Sequence, residues 1–212
     1  MNEYHKIQSV FKRKMDGDRS IIEGVWTLPE FEYLANNQWV FTEKVDGTNI
    51  RVMLKGGDVT FAGRTNDAQL PAPLVARLNE RFATDGSALR CLIDTDMCLY
   101  GEGYGAKIQS GGKYRADQDF VLFDVRVGEW WLQRSDIEEV ASIIGVRVVP
   151  VIGEGTLHDA VSAAKAGITS TWGNFQAEGI VARPKVELKT RRGDRLIAKI
   201  KCRDFVSRRG GL

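Results

Sequence analysis

The sequence predicts an α+β fold, mostly antiparallel sheets with flanking helices, and three observations carry that expectation. Stretches of alternating apolar and polar residues recur along the chain. Between them lie segments with apolar residues at helical spacing. The two kinds are interspersed without the regular strand–helix alternation of a parallel sheet. With 212 residues, 43% of them apolar and 27% charged, the chain is long enough for one large domain around a continuous core.

Each element has its own signal. Thr27-Leu28-Pro29-Glu30 reads as a helix start, with Thr27 and Glu30 at capping-box spacing, and the helix runs to about Asn36. Gln38 to Arg64 reads as three strands joined by turns: Ile50, Val52 and Leu54 alternate with polar partners, and Gly56-Gly57-Asp58 supplies a turn. Pro73 to Ala83 is helical, with Leu74, Val75, Leu78 and Phe82 on one side. Met97–Glu102 and Asp119–Val127 are strands, separated by a glycine-rich, basic, flexible loop at Gly103–Asp117. Ser135 and Glu138 suggest a second capping box opening a helix to about Ile144. Val146–Val151 reads as one strand, and Thr156–Ala166 as a helix stopped by Gly167. Strands at Gly179–Arg183 and Arg195–Lys201 follow.

Composition removes several function classes. No apolar run approaches the ~18 residues of a membrane span. The opening Met1-Asn2-Glu3-Tyr4-His5-Lys6 lacks the apolar core of a secretory signal. A cytoplasmic protein is therefore expected. Cys91, Cys98 and Cys202 form neither a disulfide framework nor a CxxC pair. With His5 and His158 the only histidines, a zinc site and a histidine general base are both disfavoured. Charge is uneven: residues 183–212 hold eleven Lys or Arg against three Asp or Glu, a balance of +8 in a chain of net +2. Such a stretch suits an anionic partner, or is a solvated end that aids solubility.

The chemistry-bearing residues come in short blocks. In Glu43-Lys44-Val45-Asp46-Gly47-Thr48-Asn49 a lysine ends a strand before a tight Asp-Gly turn. A backbone-held lysine becomes a nucleophile when neighbouring cations or burial disfavour its ammonium form; equally, Asp-Gly is a common hairpin turn. Lys199 and Lys201 lie two apart in a strand, so both point to one face while Leu196, Ala198 and Ile200 point to the other. Paired ammonium groups there suit charge developing on a phosphoryl group, although an exposed strand face looks the same. Glu102 and Glu178 are hard oxygen donors suited to Mg²⁺ or Mn²⁺; Glu178-Gly179 also reads as a surface turn. Phe123 reads as an ordinary core residue of its strand. Lys107, Lys113, Tyr114 and Arg115 place basic and aromatic groups on the Gly103–Asp117 loop, which suits a nucleic-acid strand or a triphosphate tail; a mobile surface loop without contacts reads the same. Tyr4, Lys6, Lys12, Arg13 and Lys14 extend the same surface.

Taken in order, Lys44-Val45-Asp46-Gly47, Arg64, Tyr100-Gly101-Glu102-Gly103, Phe120–Asp124, Glu178–Arg183 and Ile197–Lys201 resemble the six blocks of the covalent nucleotidyltransferases, which comprise ATP-dependent DNA and RNA ligases and mRNA capping enzymes. The blocks span about three quarters of the chain and look most like the nick-sealing RNA ligases. The resemblance implies an adenylation domain of ATP-grasp-like ligase type over residues 1–212. Relatives carry a further C-terminal domain, helical in nick-sealing RNA ligases and an OB-fold in DNA ligases and capping enzymes; neither fits in the eleven residues after Lys201, so no separate one is expected. It implies an enzyme that forms lysyl-AMP on Lys44, passes AMP to a 5′-phosphate RNA end and joins that end to a 3′-hydroxyl. ATP and Mg²⁺ or Mn²⁺ are the implied cofactors and RNA the implied partner, with DNA as an alternative and no membrane involved.

By the same resemblance Glu43 lies where adenine is read, Asn49 and Arg64 contact nucleotide and RNA ends, and Glu102 and Glu178 serve the metal. Glu102 also falls at a ribose-contacting position. Phe123 stacks on adenine, Val181 covers its other face, and Lys199 and Lys201 grip the α-phosphate. Asp46 and Asp124 fall at positions needed for catalysis, and Arg183 at a basic position facing nucleic acid. Two other readings stay open: a minimal DNA ligase, and a non-catalytic module that binds nucleotide or RNA ends.

Overall fold

The computed structural model describes residues 3–84, 88–89 and 96–206. In chain order the described elements are β1 (Gln8–Ser9), β2 (Phe11–Arg13), β3 (Ile21–Trp26), α1 (Pro29–Tyr33), β4 (Trp39–Lys44), β5 (Thr48–Lys55), β6 (Asp58–Ala62) and α2 (Ala72–Leu78). After α2 a π-helical turn covers Asn79–Ala83. There follow β7 (Met97–Gly105), β8 (Gln118–Val127), β9 (Trp130–Trp131), α3 (Arg134–Ile144), β10 (Arg147–Val148), β11 (Val151–Gly155), α4 (Leu157–Ala166), β12 (Gly179–Pro184) and β13 (Ala198–Lys201).

The chain divides into two compact units. One, the split unit, is made of His5–Lys44 and the chain from Pro150 onward; the other, the inserted unit, holds Val45–Val149 and the chain up to Tyr4. The sequence reading expects one continuous core, but the buried apolar residues form two clusters.

In the split unit five strands run in the order β1-β13-β12-β4-β11, all antiparallel except β1, which pairs parallel to β13. Alternation along β4 buries Trp39, Phe41 and Glu43 and leaves Val40, Thr42 and Lys44 half-buried on the opposite face. Helix α4 covers the buried face with Leu157, Ala160, Val161 and Ala164. Each buried Leu or Val contributes about 1.5–3 kcal/mol. Thr156 Oγ1 accepts from the Asp159 amide at 3.1 Å, and Asp159 Oδ2 accepts from the Thr156 amide at 2.8 Å, which closes the α4 capping box.

In the inserted unit the order is β10-β8-β7-β5-β6, with β9 on the edge of β8. One sheet face carries Ile50, Val52, Leu54, Leu99, Leu122 and Val125 and packs against Leu74, Leu78, Phe82, Ile137 and Ala141 from the helices. The opposite face is polar, because Asn49, Arg51, Cys98, Tyr100 and Glu102 alternate with those core residues. A bulge pairs Tyr100 with Asp124 but Gly101 with Leu122, so Phe123 is the extra residue.

Several expectations shift. Thr27 caps nothing: its amide donates to the Val10 carbonyl at 3.0 Å, and the N-cap of α1 is Leu28, which offers no side-chain hydrogen bond; Pro29 already fixes the first helical φ. Helix α3 is capped from Gln133, whose amide donates to Asp136 at 3.3 Å, two residues ahead of the expected Ser135 and Glu138. Val146–Val151 is not one strand. Pro150 has no amide to give a ladder, and β10 and β11 belong to different sheets. Strands β1, β2 and β3 carry no sequence signal that predicts them. Cys91 and the residues after 206 lie outside the described residues.

Candidate active site

In the split unit three strands align Lys44, Gly179 and Lys201 side by side, with Thr42, Val181 and Lys199 in the next row on the same face. Glu178 precedes the middle strand and its carboxylate bridges two of these lysines. Lys44 Nζ donates to Oε2 at 2.7 Å and Lys201 Nζ to Oε1 at 2.5 Å. Glycine at 179 is required by close approach, since a Cβ there would sit 2.0 Å from the Ile200 carbonyl oxygen. Burial works to raise the Glu178 pKa, but the two adjacent ammonium groups outweigh it and hold the carboxyl below its ordinary value. Arg183 follows Val181 on the same face, opposite Val40, and is half-buried.

Glu43 behaves differently from its neighbour. Adjacent strand residues face opposite ways, so its carboxylate is buried, at 1% exposure, on the face away from Lys44. There Oε1 accepts from Ser170 Oγ at 2.6 Å. Oε2 accepts from the Thr171 amide at 2.9 Å and from Thr171 Oγ1 at 2.8 Å. The Ser170 hydroxyl oxygen in turn accepts from the Trp172 amide at 3.1 Å. Glu43 thus clamps the 170–172 turn.

In the inserted unit Asn49 and Glu102 are directly opposite each other on the polar sheet face. The buried Asn49 Oδ1 has no hydrogen-bond partner among the described residues, an unusual state for a buried acceptor. Gly47 makes room for this arrangement, since a Cβ there would sit 2.8 Å from Glu102 Cγ. Fully buried Arg51 donates from Nε to the Gly63 carbonyl at 2.9 Å and from Nη2 to Asn66 Oδ1 at 2.8 Å. It thereby fixes the segment that exposes Arg64. Phe123 is half-buried and packed edge-on by Tyr4, ring centroids 5.1 Å apart. The Tyr4 hydroxyl donates to fully buried Asp124. Tyr4 is therefore a core residue rather than part of a basic surface, and Arg13 is committed to Asp204.

The glycine-rich loop is anchored at several points, and it starts later than expected because β7 extends to Gly105. Ile108 plugs into the core. The Ser110 amide donates to Asp46 Oδ2 at 3.2 Å, and the Asp46 amide donates to the Tyr114 hydroxyl oxygen at 3.2 Å. Arg115 is spent on Asp117 and on buried Asp119, which Arg81 also contacts at 2.9 Å and Arg77 at 3.5 Å. Lys107 and Lys113 stay exposed. Sequence reasoning missed Arg51, Ser170, Thr171, Asp119 and the Tyr4–Asp124 bond. For Glu43 a signal existed, because alternation alone turns it away from Lys44.

Among the described residues no three His, Cys, Asp or Glu side chains gather into a metal cage. The donors present are single carboxylates, which fits an ion held largely by water and phosphate oxygens. No helix among the described residues is long and apolar enough to cross a membrane.

The sequence matches the RNA ligase family over residues 37–201. Among solved structures it resembles Naegleria gruberi RNA ligase with PPi at 17% identity and a TM-score of 0.66, covering 96% of this chain and 61% of that one. An apo mutant of the same enzyme aligns at 18% identity and a TM-score of 0.65, covering 94% of this chain and 60% of the other. A further mutant with AMP and Mn aligns at 18% and 0.64, covering 92% and 59%. These likenesses show a shared fold. The chain spans about 60% of the length of those proteins.

Proposed function

The chain belongs to the RNA ligase family, and from that premise we propose that it is the nucleotidyltransferase domain of an ATP-dependent RNA ligase. The observation that carries the reading is the convergence of Lys44 and Lys201 on Glu178 across three adjacent strands. The family match runs through both units, which supports reading them as one adenylation domain.

In this proposal Lys44 Nζ attacks the α-phosphorus of ATP, a P–N bond forms, and the bond to pyrophosphate breaks. AMP then passes to an RNA 5′-phosphate, and a 3′-hydroxyl displaces it to seal the strand. Lys199 and Lys201 are the proposed grip on the α-phosphate, where two fixed cations would stabilise developing negative charge. As it stands Lys44 is paired with a carboxylate, a pairing that favours the non-nucleophilic ammonium. The reaction therefore needs this pair to open. A phosphate that draws Lys201 away removes one of the two cations holding the Glu178 pKa down, which leaves Glu178 the nearest acceptor, 2.7 Å away, for the Lys44 proton.

Asn49, whose buried oxygen has no hydrogen-bond partner among the described residues, is proposed to accept from a nucleotide hydroxyl. Phe123 and Val181 are the proposed adenine contacts, Arg64 an RNA-end contact, and Arg183, Lys107 and Lys113 contacts to the strand. Glu102 and Glu178 are the carboxylates proposed for Mg²⁺ or Mn²⁺, which when bound would neutralise triphosphate charge. The geometry supports a holding role for Glu43, Asp46, Asp124 and Arg115, since each is engaged in hydrogen bonds or ion pairs.

The test is incubation with α-labelled ATP and Mg²⁺ or Mn²⁺. An acid-labile band near 24 kDa is expected from the 23.7 kDa chain, lost in Lys44→Ala. Labelling that survives Lys44→Ala overturns the assignment, and ATP binding without any labelling favours a binding module. Joining assays on nicked RNA, DNA and hybrid duplexes decide the substrate.

A further inference from the structure

The connection between β12 and β13 folds as a second, tight hairpin whose charge is unevenly spent. Its turn is closed by hydrogen bonds from the Thr190 amide to the Asp194 carbonyl at 2.8 Å and from the Gly193 amide to the Thr190 carbonyl at 2.9 Å. Lys189 bridges Arg195, and the Leu196 amide donates to the Leu188 carbonyl at 2.9 Å. The stem neutralises its own acid and takes up one from β11. Arg195, 8% exposed, engages both oxygens of Glu187, and Lys185 pairs with Glu154 of β11 at 2.9 Å. At the tip Lys189, Arg191 and Arg192 are all exposed, and none makes an ion pair among the described residues. Asp194 is the single acidic residue beside them.

A solvated basic turn is the plain alternative, but it gives no reason for the acids of the stem to be spent away from the tip cations. Exposed cations on a hydrogen-bonded turn complement a phosphodiester backbone, which repeats one negative charge per nucleotide. Position adds to this. Strand β12 leaves the Lys44 row at Gly179 and reaches Pro184 five residues later, a rise of about 17 Å at ~3.3 Å per residue. The hairpin continues from there. A strand reaching from Lys44 to the tip covers at least about five nucleotides, at roughly 3.4 Å per step.

We infer that Lys189, Arg191 and Arg192 form a phosphate clamp for the RNA strand, set at least five nucleotides from the end that reacts at Lys44. The inference rests on the ligase reading for its substrate. Its test is the triple variant Lys189→Ala, Arg191→Ala, Arg192→Ala, in which every altered side chain is exposed and outside the proposed chemistry. The variant is expected to melt within a few degrees of wild type and to label with α-labelled ATP at the wild-type rate. Its affinity for nicked duplex RNA is expected to fall and to lose salt dependence. Removing three cations that each neutralise a phosphate lowers the log–log salt slope by ~2.7, so between 50 and 200 mM salt wild-type affinity drops roughly 40-fold more than the variant's. Duplexes with arms shorter than five nucleotides are expected to erase the difference. Equal RNA affinities and salt slopes in two proteins that both label would overturn the clamp and leave the ligase reading intact. Loss of labelling in wild type would overturn the ligase reading, while the affinity comparison would still decide the clamp.

Discussion

Replacing Glu43 separates a structural clamp from a base-reading residue. The carboxylate accepts three hydrogen bonds, one from Ser170 and two from Thr171. In Glu43→Gln one amide oxygen can keep both Thr171 donors. The new amide can face Ser170, whose hydroxyl rotates from donor to acceptor. The substitution is then nearly isosteric and leaves only the Ser170 hydroxyl proton without its acceptor, with a cost of about 1 kcal/mol. Glu43→Ala leaves a cavity and strips the buried Ser170 hydroxyl of its acceptor, while exposed Thr171 finds water. The cost is about 2–4 kcal/mol. For a chain of this length that lowers Tm by roughly 5–15 °C, against a few degrees for Gln. Thermal denaturation of both variants, paired with lysyl-AMP labelling, measures the contrast. If Glu43→Gln melts like wild type but fails to label, or loses as much stability as Ala, the clamp reasoning is wrong and the charge itself is needed.

Three further outcomes follow from the geometry. Asp119→Ala is expected to cost about 2–3 kcal/mol, because it leaves Arg77, Arg81 and Arg115 without their shared anion; protease nicking in the Gly105–Asp117 loop reports its release. Glu178→Gln is expected to cost about 2 kcal/mol at neutral pH. Because the Glu178 pKa is depressed in the folded state, its contribution is full above the unfolded value and lost as pH falls through the folded one. The stability gap between wild type and Glu178→Gln should therefore begin to narrow only once pH falls below the ordinary glutamate value of about 4.3, and close as it passes the lower folded one, in acid titrations. Burial pushes the Cys98 thiol up to about 11, so roughly 0.1% is thiolate at pH 8. Peptide-mapped alkylation is expected to find Cys98 unreacted in native protein and modified after unfolding.

Much of the site was legible because it obeys strand alternation. Lys199 and Lys201 share a face opposite buried Ala198 and Ile200. Helix α4 starts at Thr156 and stops at Gly167, as its cap residues require. What stayed hidden was non-local or degenerate. Strand β1 is two residues long and pairs with β13 some 190 positions away, so no local pattern announces it. Gln133/Asp136 and Ser135/Glu138 serve the same apolar stripe of α3, and pattern alone does not choose between them. Arg51 looks like an outward polar residue of β5, and only the folded chain shows its guanidinium buried against Gly63 and Asn66.

The order in which the split unit is threaded has a bearing on when the protein becomes competent. Strand β4, which ends in Lys44, is flanked by β12 and β11, and both are translated after the whole inserted unit. During synthesis the lysine emerges long before the residues that fix its surroundings. Roughly 160 codons separate it from Lys201, about 10–30 s of ribosome time. A nascent chain stalled before Glu178 displays Lys44 without either β12 or its ion-pair partner, so on the ligase reading a message broken there yields a fragment that carries the proposed nucleophile but not the surroundings that hold it.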